Sequence, residues 1–318
     1  QARHQHRTGK LFDGIFRKLS NLDARNLPPK SMAGGYGMRD IELEIKLQKA
    51  LDNSHNVWVI GDIHGFNETL RTLVSKLALE KGDYVVLLGD LIDRGPNSYD
   101  VVQYVKTSPN IVTVKGNHEK MMIELFSLPR LERPDVKLAT WMYNGGRATA
   151  ISYINAFTDE VGNEYTELLD QAITQDKLWM NQLPSQIILD KWRLVHAGYD
   201  PEVDLDCQTD SEMLHIRKPF HNATEPIDND RTVIFGHTPT AGLPGHSNLF
   251  WGKVWFSPIL LDSGRCAAIG IDTCVFHNLD VPAVLTAYNL QDNSIIQQTR
   301  VEVWNKAVIK QINELKGE

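Results

Sequence analysis

The chain is poor in cysteine, has no long apolar run and shows no internal repeat. Its three cysteines, Cys207, Cys266 and Cys274, form no C-x-x-C pair. That spacing argues against both a disulfide framework and a thiolate zinc site. Sparse cysteine is the habit of a reducing compartment, so a cytoplasmic location is expected. The first residue is Gln1 rather than Met, which leaves secretion of a processed product open as an expectation. No stretch reaches the roughly eighteen apolar residues of a membrane span, so none is expected. The formal net charge of -7 over 318 residues is mild. No nucleic-acid partner is expected from it, while a phosphate-bearing substrate stays open because local charge decides that.

Three stretches differ in character. Residues 1–54 read as an N-terminal extension, with eight Lys/Arg against three Asp/Glu in the first forty. Leu11, Ile15, Phe16 and Leu19 recur there at helical spacing, and Ile41, Leu43, Ile45, Leu47 and Leu51 suggest a second helix. Residues 55–303 read as the main domain. Residues 304–318 close the chain with an expected surface helix over Trp304–Leu315.

Within the main domain the first half alternates strands and helices. Val57–Ile60, Tyr84–Leu88 and Ile111–Val114 are apolar runs of strand length. Asn67 is expected to cap a helix with the stripe Leu70, Leu73, Val74 and Leu77. Val101, Val102 and Val105 mark the next helix. This order predicts an α/β fold with a parallel sheet, and ligands in such sheets bind beyond the strand C-termini. Residues 119–183 read as mostly helical, interrupted at Gly145-Gly146. Later strands are expected at Ile187–Leu189, Arg193–Val195, Thr232–Phe235, Ala267–Ile271 and Val284–Asn289, forming a second sheet packed on the first.

Five polar motifs stand at strand ends. They are Gly61-Asp62-Ile63-His64-Gly65, Gly89-Asp90-Leu91-Ile92-Asp93-Arg94-Gly95, Gly116-Asn117-His118-Glu119, His196-Ala197-Gly198 and Gly236-His237-Thr238-Pro239. Four directly follow an apolar run, and Gly116 follows one residue later. Asp62 and His64, two apart at a strand end, project alike and can hold one ion. Asp90 can bind that ion and a second, which Asn117, His196 and His237 can complete. Carboxylate and amide oxygens mixed with imidazoles suit Mn, Fe or Zn. Each motif alone is a weak signal; five in one chain point to a dinuclear site. Histidines 4, 6, 55, 221 and 246 read as ordinary surface residues.

These motifs, spanning residues 61–238, resemble the PPP family of phosphoprotein phosphatases within the calcineurin-like metallophosphoesterases. Asn144-Gly145-Gly146 and Ile271-Asp272-Thr273 are similar to the bacterial and phage branch. The resemblance implies a four-layer α-β-β-α sandwich with two central sheets and two divalent metal ions, Mn²⁺ foremost. It implies Asp62, His64 and Asp90 on the first metal, and Asp90, Asn117, His196 and His237 on the second. His118, oriented by Asp93, would donate the proton to the leaving group. Arg94, Arg217 and Asn117 would contact the phosphate. The implied activity is a phosphoserine/phosphothreonine, or phosphotyrosine, protein phosphatase working by in-line attack of a metal-bridging hydroxide. A cysteine nucleophile is not expected, since no cysteine opens a C-x5-R loop.

Phe66, Cys274 and His215 depart from the family pattern and bear on substrate choice. The main alternative is a bis(5'-nucleosyl)-tetraphosphatase-like hydrolase of dinucleoside polyphosphates. A nuclease fits less well, because Gly236-His237-Thr238-Pro239 lacks a second histidine. A catalytically silent scaffold would be expected to lose ligands, and none is missing. Partners other than a phosphorylated protein or small phosphoester are not indicated.

Overall fold

Strands buried on both faces organise the molecule, and apolar runs without a polar face are what such strands require. The computed structural model describes residues 37–128, 135–159, 162, 165–304 and 310. The expected helix over Leu11–Leu19, His4 and His6 lie outside these residues, as does nearly all of the expected helix at 304–315.

The first sheet has the order β10-β9-β1-β2-β3, with β1 Val57–Ile60, β2 Tyr84–Leu87, β3 Ile111–Thr113, β9 Val284–Asn289 and β10 Ile295–Thr299. β1, β2 and β3 run parallel, linked by helices α2 (Asn67–Lys76) and α3 (Ser98–Thr107). The second sheet has the order β4-β5-β6-β8-β7, with β4 Gln186–Ile188, β5 Trp192–Val195, β6 Thr232–Phe235, β7 Trp255–Phe256 and β8 Ala268–Gly270. Here β5, β6 and β8 are the parallel set.

Alternation along each strand divides the core into layers. Val57, Val59, Val86 and Leu88 face Leu194, Ile234 and Ile269 between the sheets. Trp58, Ile60, Val85 and Leu87 point the other way, into a cluster shared with α2, α3, α4 (Asn117–Ser127), α6 (Arg147–Ala156) and α7 (Thr166–Asn181). A third cluster, including Val195, Val233, Phe235 and Met213 of α8 (Asp210–His215), covers the outer face of the second sheet. Helix α1 (Ile41–Asp52) starts where the Asp40 carboxylate accepts from Leu43 N at 3.0 Å. It buries Leu47 and Ala50 in the inter-sheet core, and its Glu44 accepts from the Ile188 N–H at 2.9 Å.

Four expectations change. Val284–Asn289 belongs to the first sheet, antiparallel to β1, not to the second. Two strands, β7 and β10, were not expected. Asn67 is the first residue of α2 rather than its cap; Phe66 holds the cap position and no side chain caps the helix. Its amide instead bonds Glu68 and Arg71 at 3.3 Å each. His221, on α9 (Lys218–His221), is not a surface histidine: it stacks on Phe235 at 5.5 Å between ring centroids, with a buried Nε2 that has no hydrogen-bond partner. Gly145 interrupts the helical region as expected, at φ +111° within the π-turn Met142–Gly146 that joins α5 (Asp135–Trp141) to α6.

Candidate metal centre

All six parallel strands end at one edge, and each delivers side chains there. The loop after β1 brings Asp62 and His64, and the loop after β2 brings Asp90, Asp93 and Arg94. Asn117 and His118 open α4 after β3. His196 follows β5 and His237 follows β6. Five of these residues, His64, Asp90, Asp93, Arg94 and His237, have φ between +48° and +71°. A non-glycine residue held there costs on the order of 1–3 kcal/mol. Such strain persists only where surrounding contacts impose it. Ile63 and His64 N–H both donate to the Asp90 carbonyl, at 3.1 and 2.8 Å. Glu119, on the first turn of α4, accepts from Asp90 N (2.9 Å), Leu91 N (2.8 Å) and Gly116 N (2.8 Å). Burial, and then the Asp90 charge, pushes the Glu119 carboxyl up to about 7.

Asp90 lies at the centre. Its donor oxygens group with His64 and His118 on one side and with His196 and His237 on the other, each group within 4.8 Å. Oδ2 is 3.7 Å from Nε2 of His64, and Oδ1 is 3.4 Å from Nε2 of His196. Asp62 Oδ2 is 3.9 Å from His64 Nε2, and its carboxylate accepts from His237 N at 2.9 and 3.1 Å. Asn117 Oδ1 is 2.8 Å from His196 Nε2 and 2.9 Å from His237 Nδ1. The structure thus brings all six expected ligands together.

The donor chemistry fits divalent cations. His64 donates Nδ1–H to the Ile92 carbonyl at 3.0 Å, and His196 donates to the Leu88 carbonyl at 2.7 Å. Each ring therefore turns an Nε2 lone pair inward. The His196 lone pair meets the Asn117 and Asp90 oxygens at 2.8 and 3.4 Å, acceptor against acceptor, while that of His64 faces Asp90 and Asp62 oxygens at 3.7 and 3.9 Å beside the Arg94 guanidinium. Protonating the rings is disfavoured, since burial lowers the pKa of both His64 and His196. Burial, then Asp272 and Asp90, raises the carboxyl of Asp62 well above its ordinary range. A cation among these groups relieves every one of these contacts, and the oxygen–imidazole set suits Mn, Fe or Zn.

His118 sits beside this cluster in a different environment. Its Nδ1 is 2.7 Å from Asp93 Oδ2, and Asp93 Oδ1 accepts from Thr149 Oγ1 at 2.7 Å. Burial opposes a charge on the ring, but Asp90 and Asp93 outweigh it and the pKa rises. Arg94 reaches His64 Nε2 with Nη1 at 2.9 Å and His118 Nε2 with Nη2 at 3.2 Å. Its own N–H donates to the Gly145 carbonyl at 3.1 Å. Arg217, at the start of α9, donates to Thr238 Oγ1 at 2.7 Å.

Residues 55–274 match the family model described as calcineurin-like phosphoesterase. The chain belongs to this family. It is a metallophosphoesterase, a hydrolase of phosphoester bonds, with homology to bacterial serine/threonine protein phosphatases. It is 30% identical over 199 residues to serine/threonine-protein phosphatase 2 of Escherichia coli K12, covering 58% of this chain and 82% of that protein. It is also 30% identical over 166 residues to the symmetrical bis(5'-nucleosyl)-tetraphosphatase of Shigella dysenteriae serotype 1, covering 49% of each chain. A crystal structure provisionally assigned as a diadenosine tetraphosphatase superposes with a TM-score of 0.51 at 23% identity, over 77% of this chain and 94% of that one, a likeness of fold. No helix among the described residues is long and apolar enough to cross a membrane.

Some residues of this metallophosphoesterase's site carried no expected role. The loop after β8, the sixth strand end, supplies Asp272 and Phe276. Asp272 is buried and its Oδ2 lacks a partner; burial pushes its carboxyl up to about 6. Phe276 lies under Arg94. Thr149 and Ser98 sit behind Asp93. Of these, only Asp272 had a signal, its place in Ile271-Asp272-Thr273 beyond a strand-like run.

Proposed function

We propose that the protein is a metal-dependent phosphomonoesterase acting on phosphoserine or phosphothreonine, with phosphotyrosine as a further substrate. Residues 55–303 are taken as the catalytic unit, with α1 docked against it. The observation that carries the reading is His118: a buried imidazole tied through Nδ1 to Asp93, with Nε2 turned toward the ligand cluster. That is the arrangement of a general acid for an alkoxide leaving group.

Asp62, His64 and Asp90 would hold one divalent cation, and Asp90, Asn117, His196 and His237 a second. Cations held there supply Lewis-acid chemistry, acidifying a water and offsetting phosphoryl charge. Arg94 and Arg217 bind the phosphoryl oxygens from two sides, and Asn117 adds a polar contact. Asp93 keeps the His118 tautomer fixed, so that the mobile proton is the one at Nε2. His118 gives that proton to the departing oxygen, and Asp93 stabilises the ring while it is charged. No covalent phosphoenzyme is needed.

A second reading, hydrolysis of dinucleoside polyphosphates, is favoured by the tetraphosphatase relatives that match about half their own length. The protein phosphatase reading draws on the longer match, 82% of the relative. Purified protein with Mn²⁺, offered a phosphothreonine peptide and diadenosine tetraphosphate side by side, ranks the two. A higher kcat/KM on the peptide supports the proposal. A kcat/KM at least tenfold higher on the dinucleotide replaces it with the second reading.

A further inference from the structure

Arg94 is the site's innermost cation, yet it has no carboxylate partner. Among the described residues its guanidinium makes no salt bridge; its side-chain contacts are the two imidazoles and one aromatic face. The ring of Phe276 lies 4.1 Å from the guanidinium carbon. The same ring meets His64 edge-on, with centroids 5.1 Å apart and planes at 85°. Phe276 is half-buried and packed against the larger apolar core.

This arrangement has a physical consequence. A guanidinium must be held in place if it is to receive a phosphoryl group without losing conformational freedom at that moment. A carboxylate would hold it, but would also neutralise it and compete with the phosphate for its N–H donors. An aromatic face holds the flat ion through its quadrupole and occupies none of the N–H donors, which lie in the guanidinium plane. The edge contact with His64 fixes the ring itself, since T-shaped pairs are the favoured aromatic geometry. The Gly145 carbonyl meanwhile pins the Arg94 backbone. The guanidinium is thus fixed from below and behind while its charge stays available.

We infer that Phe276 is a positioning residue for phosphate recognition: it holds Arg94 in its binding pose by an aromatic contact that does not quench its charge. The inference rests on the phosphomonoesterase reading for Arg94 and deepens it. It predicts that the ring is required for its face, not its bulk. Leucine or methionine keeps apolar volume without a quadrupole; tyrosine keeps the face.

The test uses the full chain with Mn²⁺ and p-nitrophenyl phosphate, with inorganic phosphate binding measured by calorimetry on the same preparations. Phe276→Leu and Phe276→Met should raise KM and weaken phosphate binding roughly 2- to 30-fold, the range of a cation–π contact. kcat should change less, and bound manganese per chain should equal the parent's. Phe276→Tyr should restore both constants to within about twofold of the parent. In an Arg94→Gln background, Phe276→Leu should add nothing further, because the contact it removes is already gone.

Unchanged phosphate affinity in a folded Phe276→Leu or Phe276→Met protein would overturn the inference. So would a loss that adds fully to that of Arg94→Gln, or a Phe276→Tyr protein as impaired as Phe276→Leu. If Phe276→Leu does not fold, Phe276→Met and the tyrosine comparison decide. A parent that hydrolyses no phosphoester overturns the functional reading instead, and phosphate calorimetry still judges Phe276.

Discussion

Nδ1 of His118 stands 2.7 Å from Oδ2 of Asp93, and the other oxygen of that carboxylate is held by Thr149 Oγ1 at the same distance. The backbone N–H of Asp93 is itself fixed by Thr149 and Ser98, at 2.8 and 3.1 Å. A carboxylate tied down in this way sets the imidazole's orientation and its charge. Asp93→Asn should therefore lower kcat by about 10²-fold, the lower end of general acid help. It should also bring the alkaline limb of the pH–rate profile to lower pH, since Asp93 is one of the two groups raising the His118 pKa. Profiles of parent and variant with Mn²⁺ check both. An unmoved limb contradicts this role for Asp93.

His118→Asn should leave metal content intact and slow esters with poor leaving groups most. Phenyl phosphate should suffer by roughly 10²–10⁴-fold, and p-nitrophenyl phosphate by clearly less, because its phenolate leaves without a proton. Equal losses on the two substrates would remove His118 from the acid role.

Gly116 faces the central ligand. A Cβ built there would lie 2.2 Å from Asp90 Oδ1 and 2.3 Å from Asp90 N. Its φ of -101° suits any residue, so the constraint is space alone. Gly116→Ala should displace the Asp90 carboxylate and reduce bound manganese to less than half the parent's while the far-UV dichroism is unchanged. A fully loaded, active variant would show that Asp90 is not held where the structure has it.

His221 gives the protein a stability that depends on pH. Burial, with help from Arg217, lowers its pKa to about 4 from an ordinary 6.5. Above pH 6.5 the ring is neutral in folded and unfolded chains and contributes no slope. Between about 6.5 and 4 the unfolded chain binds the extra proton, so stability falls as pH falls through that window. His221→Leu keeps an apolar group against Phe235 and removes the titration. Its urea midpoint should decline less between pH 7 and 5 than the parent's; identical declines would contradict this assignment.

The strand ends were legible in the sequence because both faces of β1, β2 and β6 are buried, which makes each a nearly continuous apolar run ending at a polar motif, whereas in β5 Arg193, paired with Asp228, interrupts the run. The pairing of β9 was not. Val284–Asn289 reads as a strand from its residues, but its partner β1 lies more than two hundred positions away, and nothing local states that pairing. Asn67 opens α2 without capping it, and in sequence the side chain that caps a helix and the one that opens it look alike. Phe276 left no trace because an aromatic six residues beyond β8 reads as core, and it does pack partly against the core. Thr149 and Ser98 lie on helices, and only the packing of α3 and α6 brings them to Asp93.

The most direct test is anomalous diffraction from a crystal grown with Mn²⁺. The account predicts two peaks on either side of Asp90, one beside Asp62 and His64 and the other beside Asn117, His196 and His237. A single peak held by other residues, or no peak at this edge of the sheets, would contradict it.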